Sequence, residues 1–338
     1  INNLFSKTIF FMILMISTLL TISSSSWIGM WMGLELNLLS FIPLLIINNN
    51  ISSTESAIKY FLYQTFASLI FLFFSMIYIM KITFFNYFIF NMEIHYIVMS
   101  MNLKLVTPMF NMIENLTWFN TLIMLTWQKL APLVVISYMT MYNYLMLFMM
   151  ACCLIGAVGG LIQTSMQKLL VYSSMNHLGW LFIAQIYNNY LWLTYFLIYT
   201  IITISIISML KIFNIFNFNQ LFFFNNNNNF NILMKIFLFM NLLSLGGLPP
   251  FLGFFPKLMV IEHMMKSNFY LLMLGLIFCS LFTLYYYIRL SFSAFMMNYM
   301  SMKWFFYSFN KFYMYIYMIF INFINLFMIW YIVFLNYF

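Results

Sequence analysis

The sequence predicts an all-α integral membrane protein with about eleven transmembrane helices, some of them broken. Composition is the first reason: of 338 residues, 65% are hydrophobic and only 5% are charged, and the mean hydropathy is +0.98. A soluble domain carries about 25% charged residues. The second reason is the length of the apolar runs, which matches the roughly 20 residues that a helix needs to cross a bilayer.

The apolar runs follow one another along the whole chain, with short polar links between them. Backbone polar groups need hydrogen bonds in lipid, so each run is expected to be a helix. The expected spans cover residues 4–23, 27–47, 57–80, 94–113, 119–140, 144–164, 168–187, 189–211, 231–260, 268–290 and 313–336. The ninth run is too long for one plain span and contains Pro249, Pro250 and Pro256, so a broken helix is expected there. Together the spans form a single membrane domain, residues 1–338.

Composition also argues against several functions. The basic residues are scattered singly, so the net charge of +8 does not indicate a nucleic-acid surface. Cys152, Cys153 and Cys279 fall within apolar runs and lack the spacing of metal or redox sites. The sequence has no nucleotide, flavin, haem or iron–sulfur motif, so no cofactor is expected in this chain.

Residue usage is typical of a mitochondrial gene. Phe, Ile, Asn, Tyr, Lys and Met are abundant, and their codons are AT-rich. The 33 methionines fit a genetic code in which AUA is read as Met, and Ile1 fits an alternative start codon. A protein made inside the organelle needs no transit peptide, and none is expected here.

The basic residues predict the orientation of the chain in the membrane. Only Lys81 and Lys266 fall in links on the side opposite the N-terminus. Eight bases fall on the N-terminal side: Lys7, Lys59, Lys168, Lys211, Lys235, Arg289, Lys303 and Lys311. Because lysine and arginine are retained on the side of synthesis, the N-terminus is expected to face the matrix.

Four ionisable residues lie deep inside apolar runs: Glu35, Lys104, Lys129 and Lys257. A charge at the centre of a bilayer costs at least ~2.5 kcal/mol, so such residues normally line ion paths or proton relays. A buried lysine can change its protonation state, whereas arginine stays charged. Static ion pairing is the structural alternative, but one glutamate cannot pair with three lysines.

Prolines accompany the three intramembrane lysines. Pro108 follows Lys104 by about one turn, and Pro132 follows Lys129. Each proline removes one helix hydrogen bond and frees a carbonyl, which is tolerated where it lines a cavity or is capped by a neighbour. The pattern indicates hydrated half-channels, although any single proline is also compatible with an ordinary kink.

His177 lies in the middle of an expected span. Histidine titrates near neutral pH, so His177 is a candidate proton relay. A buried histidine that is simply hydrogen-bonded within the protein is the alternative, and the sequence leaves both open.

Five segments resemble one protein family. They are Gly33–Asn37 (Gly-Leu-Glu-Leu-Asn), Lys59–Leu62 (Lys-Tyr-Phe-Leu), Leu125–Leu133 (Leu-Thr-Trp-Gln-Lys-Leu-Ala-Pro-Leu), Ser173–Trp180 (Ser-Ser-Met-Asn-His-Leu-Gly-Trp) and Leu243–Lys257 (Leu-Ser-Leu-Gly-Gly-Leu-Pro-Pro-Phe-Leu-Gly-Phe-Phe-Pro-Lys). Their order and spacing resemble those of the subunit 2 family of mitochondrial NADH dehydrogenase, an antiporter-like membrane subunit of complex I.

The resemblance implies a role for each intramembrane charge. Glu35 and Lys104 would form the input pair, Lys129 the middle relay and Lys257 the exit-side residue. The family usually continues after the Lys104 position with Ala-Pro-Phe-His-Phe-Trp, whereas residues 107–112 of this chain read Thr-Pro-Met-Phe-Asn-Met. The spacing from Lys104 to Pro108 is kept, but the loop that follows is expected to differ in shape.

The resemblance also implies a setting. The chain would be a proton-translocating subunit of NADH:ubiquinone oxidoreductase in the mitochondrial inner membrane, driven by quinone reduction elsewhere in the respiratory-chain complex. Flavin mononucleotide, iron–sulfur clusters and ubiquinone would belong to other subunits. Its partners would be NADH dehydrogenase subunits 4L and 4, nuclear-encoded accessory subunits and membrane lipid, but not nucleic acid.

Two other functions fit the intramembrane charges. One is a free-standing cation/proton antiporter, which would use the same residues without an NADH-driven complex. The other is a scaffold of helices whose charges only hold subunits in place.

Overall fold

The computed structural model describes residues 2–46, 50–80, 99–102, 104–106, 112–138, 142–224 and 229–296. The expected span 94–113 is described only in part, and the expected span 313–336 lies outside the described residues. The chain divides into two compact units, Ile1–Leu145 and Met146–Phe338. The single domain over residues 1–338 stays a prediction.

The first unit begins with three long helices: α1 (Asn2–Ser23), α2 (Trp27–Leu45) and α3 (Ile51–Met80). Ser26 starts α2, because its hydroxyl accepts a hydrogen bond from the Gly29 amide at 3.2 Å. α1 and α2 pack closely at Gly33, where a Cβ atom would come within 2.5 Å of the Thr21 methyl group. Glycine therefore allows the two backbones to approach one another.

The predicted span 119–140 is a broken helix. It consists of α4 (Trp118–Leu125) and α5 (Trp127–Ser137), which are separated at Thr126. Thr126 has φ −114° and ψ −72°, and its hydroxyl donates to the Leu122 carbonyl at 2.7 Å. Pro132 lies inside α5. The interruption at Thr126 therefore lies three residues before Lys129 and six residues before Pro132.

The second unit contains most of α6 (Tyr142–Gly160), followed by α7 (Met166–Tyr187), α8 (Asn189–Phe213), α9 (Asn229–Gly246), α10 (Phe254–Lys266) and α11 (Tyr270–Met296). Nearly every residue of α7 is buried, so this helix is enclosed by protein on all faces. α6 approaches it closely at Gly156, where a Cβ atom would come within 2.6 Å of the Tyr172 carbonyl oxygen. Enclosure explains how the polar residues of α7 are kept away from lipid.

The predicted break in the ninth run is present. α9 ends at Gly246, and Gly247 takes a left-handed conformation with φ +86°. The amides of Gly247 and Leu248 both donate to the Leu243 carbonyl, at 3.1 and 3.4 Å. This is a helix-ending arrangement that glycine favours. α10 begins at Phe254, so Pro256 falls in a first turn that needs no amide donor.

Six helical segments among the described residues are long and apolar enough to cross a membrane, one of them the broken helix made of α4 and α5, and two shorter apolar helices accompany them. They are Phe5–Ser23, Trp27–Leu45, Ile51–Tyr78, Trp118–Ser137, Asn189–Phe213 and Tyr270–Phe292. Large apolar side chains cover their outer faces, for example Met12, Phe66 and Leu271. The helical membrane fold is confirmed, while the count of eleven spans stays a prediction.

Candidate functional site

Two of the predicted lysines line one small cavity in the first unit. Lys104 is 5% exposed and Lys129 is fully buried, and both face the cavity. The volume open to water centres is about 20 Å³, which is room for at least one water molecule. The other polar side chains that line it are Asn37, Tyr60, Gln64 and Gln128. A pair of lysines separated by 25 positions in sequence is thus brought to one polar site.

Lys104 is held through its backbone. The side-chain amide of Gln64 in α3 donates to the Lys104 carbonyl at 3.0 Å. In an uninterrupted helix that carbonyl would accept from the amide four residues later. The residue at that position is Pro108, which has no N–H to give. Gln64 therefore supplies a donor that the sequence removes.

Lys129 lies in the first turn of α5, just after the interruption at Thr126. Its amide donates to the Thr126 carbonyl at 3.3 Å. The preceding residue, Gln128, donates through its side-chain amide to the Asn37 side-chain oxygen at 2.9 Å. This bond ties the helix that carries Lys129 to α2, the helix that carries Glu35.

Glu35 is half-buried on α2, and its carboxylate interacts electrostatically with Lys104 and Tyr60. Within the part of the chain that the structure describes, Glu35 and Lys104 make no direct salt bridge. The predicted pair is therefore close enough to sense each other's charge without contact. This leaves the Lys104 ammonium turned to the cavity rather than fixed on a carboxylate.

Lys257 occupies a different setting in the second unit. It is 4% exposed, and its Nζ donates to the Gly246 carbonyl at 2.8 Å, at the C-terminal end of α9. That end of a helix carries partial negative charge, which favours a cation. The ammonium also lies 5.9 Å from the centroid of the Trp180 ring. The break in the ninth run thus creates the binding position of this lysine.

His177 lies on the enclosed helix α7, one turn before Trp180. Its Nδ1 forms a hydrogen bond of 2.9 Å with the Tyr195 hydroxyl, and the Tyr199 ring centroid is 5.1 Å from that of the imidazole. The hydrogen bond satisfies a buried polar ring and also offers a route for a proton. Both interpretations of His177 therefore remain open.

Several polar residues of these sites were missed from sequence. They are the uncharged residues Gln64, Gln128 and Asn37, which the pattern of ionisable residues within apolar runs does not include. Amides within apolar spans are themselves a signal, because they normally hydrogen-bond between helices. No group of three or more possible metal ligands occurs among the described residues.

Comparison with known proteins shows the family to which this chain belongs. Residues 24–283 match the family described as NADH:quinone oxidoreductase/Mrp antiporter, transmembrane. The chain belongs to this family of antiporter-like membrane proteins.

Individual relatives show which members of the family this chain is similar to in sequence. The chain is 45% identical to NADH-ubiquinone oxidoreductase chain 2 of Anopheles gambiae over 301 residues, which cover 87% of each chain. It is 40% identical to the protein of that name from Locusta migratoria, over 86% of each, and 34% identical to that from Loxodonta africana, over 82% of each. It therefore falls among the chain 2 proteins.

Solved structures share the fold. A chain of respiratory complex I from Thermus thermophilus with bound aureothin aligns with a TM-score of 0.82 and 19% identity, covering 95% of this chain and 77% of that one. A chain of the Mrp complex from Dietzia sp. DQ12-45-1b aligns with a TM-score of 0.72 and 14% identity, covering 82% and 58%.

Proposed function

We propose that this chain is a proton-translocating membrane subunit of NADH:ubiquinone oxidoreductase, placed in the mitochondrial inner membrane. The observation that carries the proposal is the cavity of the first unit, where Lys104 and Lys129 share one polar space of about 20 Å³. Two buried lysines beside a space for water are what a relay needs, because each can give or take one proton.

In this proposal Glu35 sets the charge state of the cavity. A carboxylate near an ammonium stabilises the charged form, and loss of the negative charge releases that hold. Because Glu35 and Lys104 interact without a direct salt bridge, a change at Glu35 can alter the proton affinity of Lys104 without breaking a contact. Lys104 then passes its proton towards Lys129 through the cavity.

In the second unit Lys257 acts as the exit-side residue and His177 as a relay. The Gly246 carbonyl and the Trp180 ring hold the charged form of Lys257. The bond between His177 and Tyr195 gives a proton an alternative acceptor on α7 and α8. Proton transfer in this unit competes with the hydrogen bonds of Lys257 and His177, and proton transfer in the first unit uses a space that admits water.

The relatives that are named as chains of NADH-ubiquinone oxidoreductase support this setting. In the proposal, other subunits of the same assembly carry the flavin, the iron–sulfur clusters and ubiquinone. NADH dehydrogenase subunits 4L and 4 and nuclear-encoded accessory subunits are the proposed neighbours. The excess of lysine and arginine on the N-terminal side supports an N-terminus in the matrix.

Replacement of the cavity lysines tests the proposal. Lys104→Met and Lys129→Met each keep side-chain length and remove the ionisable group, so the complex is expected to assemble but pump fewer protons per electron. Lys59→Met is the matched control, since Lys59 is exposed on α3 and paired with Glu55. The measurement is the ratio of protons moved to NADH oxidised in vesicles.

Two results would reject the proposal. A normal ratio in both cavity variants would remove the lysines from the proton path. Failure of assembly, with the residual complexes pumping normally, would instead support a scaffold role.

A free-standing antiporter is the second candidate, because the fold is shared with a chain of the Mrp complex. The chain 2 relatives favour the respiratory complex over this function. Ion-driven proton flux through the purified chain in liposomes, without any other subunit, would support the antiporter.

A further inference from the structure

We infer that Gln64 is a positioning residue for Lys104, and that without its amide Lys104 no longer presents its ammonium to the cavity. The inference rests on the proposed function, because it assigns Gln64 a part in the same proton path. Gln64 lies on α3, 40 positions before Lys104, and it is 8% exposed. Neither its charge nor its spacing singles it out in the sequence.

Gln64 bonds the backbone of Lys104. Gln64 Nε2 donates to the Lys104 carbonyl oxygen, not to the lysine side chain. A helix would give that oxygen the amide of residue 108, and proline has none. A buried carbonyl without a donor is costly, so the chain would otherwise rotate or shift to find one. The Gln64 amide therefore fixes the backbone at the position from which the lysine side chain departs.

Gln64 also forms part of the cavity wall. Gln64 and Lys104 line the same cavity, so the hydrogen bond holds the lysine on the wall that faces Lys129. The bond between Gln128 and Asn37 likewise holds the helix that carries Lys129 against α2. Each lysine-bearing segment of the first unit is thus tied by a side-chain amide to a neighbouring long helix.

The test is a set of variants in the assembled complex. Gln64→Met keeps length and burial but removes the donor, so we expect coupled proton pumping to fall about tenfold, the order expected for loss of one buried hydrogen bond. NADH oxidation by the uncoupled complex and its amount on a native gel are expected to stay near the parent level. Gln163→Met, a half-buried glutamine in the second unit, is the matched control.

A second variant separates positioning from general damage. Gln64→Glu can donate to the Lys104 carbonyl only while its carboxyl group is protonated. Its pumping ratio, divided by that of the parent at each pH, is expected to rise as the pH is lowered. The other ionisable groups that line this cavity are Lys104, Lys129 and Tyr60, and Glu35 interacts electrostatically with Lys104 and Tyr60, so the parent measured at each pH is the reference. A merely structural glutamine would give a flat normalised profile.

The double variant Gln64→Met with Lys104→Met distinguishes the two proposals. If Gln64 acts only through Lys104, the double variant pumps no worse than Lys104→Met alone. If Lys104→Met lowers pumping but Gln64→Met does not, the positioning role is overturned and the proposed function stands. If Lys104→Met pumps normally, the proposed role of Lys104 fails regardless of Gln64. Additive losses in the double variant would also overturn the inference.

Discussion

The two units hold their intramembrane lysines beside helix breaks of different construction. In the first unit, α4 gives way to α5 at Thr126, whose φ of −114° is negative and does not call for glycine. In the second, α9 ends at Gly246 and is followed by Gly247 with φ +86°, a conformation that residues with a side chain rarely adopt. The first break leaves Lys129 facing a cavity, whereas the second gives Lys257 a carbonyl partner at 2.8 Å.

The difference concerns how a proton can leave each lysine. The cavity that Lys104 and Lys129 line in the first unit has room for a water molecule, which can accept a proton. Lys257 is bonded directly to a helix end, so loss of its proton weakens a charge-assisted bond. In the proposed function the first unit is therefore the site of transfer, and Lys257 in the second unit keeps its proton until another charge displaces it.

The largest expected effect comes from the glycine-dependent break. In Gly253→Ala the new Cβ atom would overlap the Ser244 carbonyl oxygen, which belongs to backbone and cannot move aside. We expect the free energy of unfolding to fall by about 4 kcal/mol or more, and little assembled complex to be seen on a native gel. Thr126→Ala is the comparison in the first unit: it loses only one hydroxyl bond and is expected to cost about 1 kcal/mol. Equal losses in the two variants would contradict this contrast.

The next effect separates the two kinds of lysine. Lys257→Met leaves the Gly246 carbonyl without its donor, so we expect thermal stability of the complex to fall by about 1–3 kcal/mol. Lys104→Met removes a charge from a cavity wall and leaves the Gln64 bond to the backbone intact, so stability is expected to change little. The stability of both variants is measured by heating the complex and monitoring its loss on a native gel. A larger loss of stability in Lys104→Met than in Lys257→Met would contradict this difference between the two lysines.

A smaller effect is expected at His177. Tyr195→Phe removes the hydroxyl that bonds His177 Nδ1 at 2.9 Å, and we expect about 1 kcal/mol less stability from the lost bond. If His177 is a relay, the proton-to-electron ratio also falls. An unchanged ratio with lowered stability would assign His177 a structural role.

The smallest effect is expected for an exposed pair. Lys266 donates to Glu262 at 2.9 Å, and this bond, together with the charge of Lys266, holds the pKa of the exposed Glu262 carboxyl below its usual value. A lowered acid pKa gives stability that is present at neutral pH and disappears as the pH falls through the folded-state value. Because solvent screens this pair, Glu262→Gln is expected to leave pumping and thermal unfolding at pH 7 unchanged. A clear shift in either would show that this end of α10 is not solvated.

The two helix breaks show how much of the fold could be predicted from the sequence. The break in the ninth run was predictable from Pro249 and Pro250, because proline cannot continue a helix whatever surrounds it. The break beside Lys129 was expected near Pro132, and the structure places it at Thr126 instead. Proline within α5 is tolerated there, so the local rule alone did not locate the interruption.

By itself the sequence determined that the chain enters lipid, that the apolar runs among the described residues are helical, and which charges lie within those runs. These properties follow from composition and run length, because partition into a bilayer depends on each segment's own side chains. Only the tertiary structure decided that Lys104 and Lys129 share a cavity, that Gln64 caps the Lys104 carbonyl, and that α7 is enclosed. Such meetings depend on the rotation and packing of helices far apart in sequence, and no single segment encodes them.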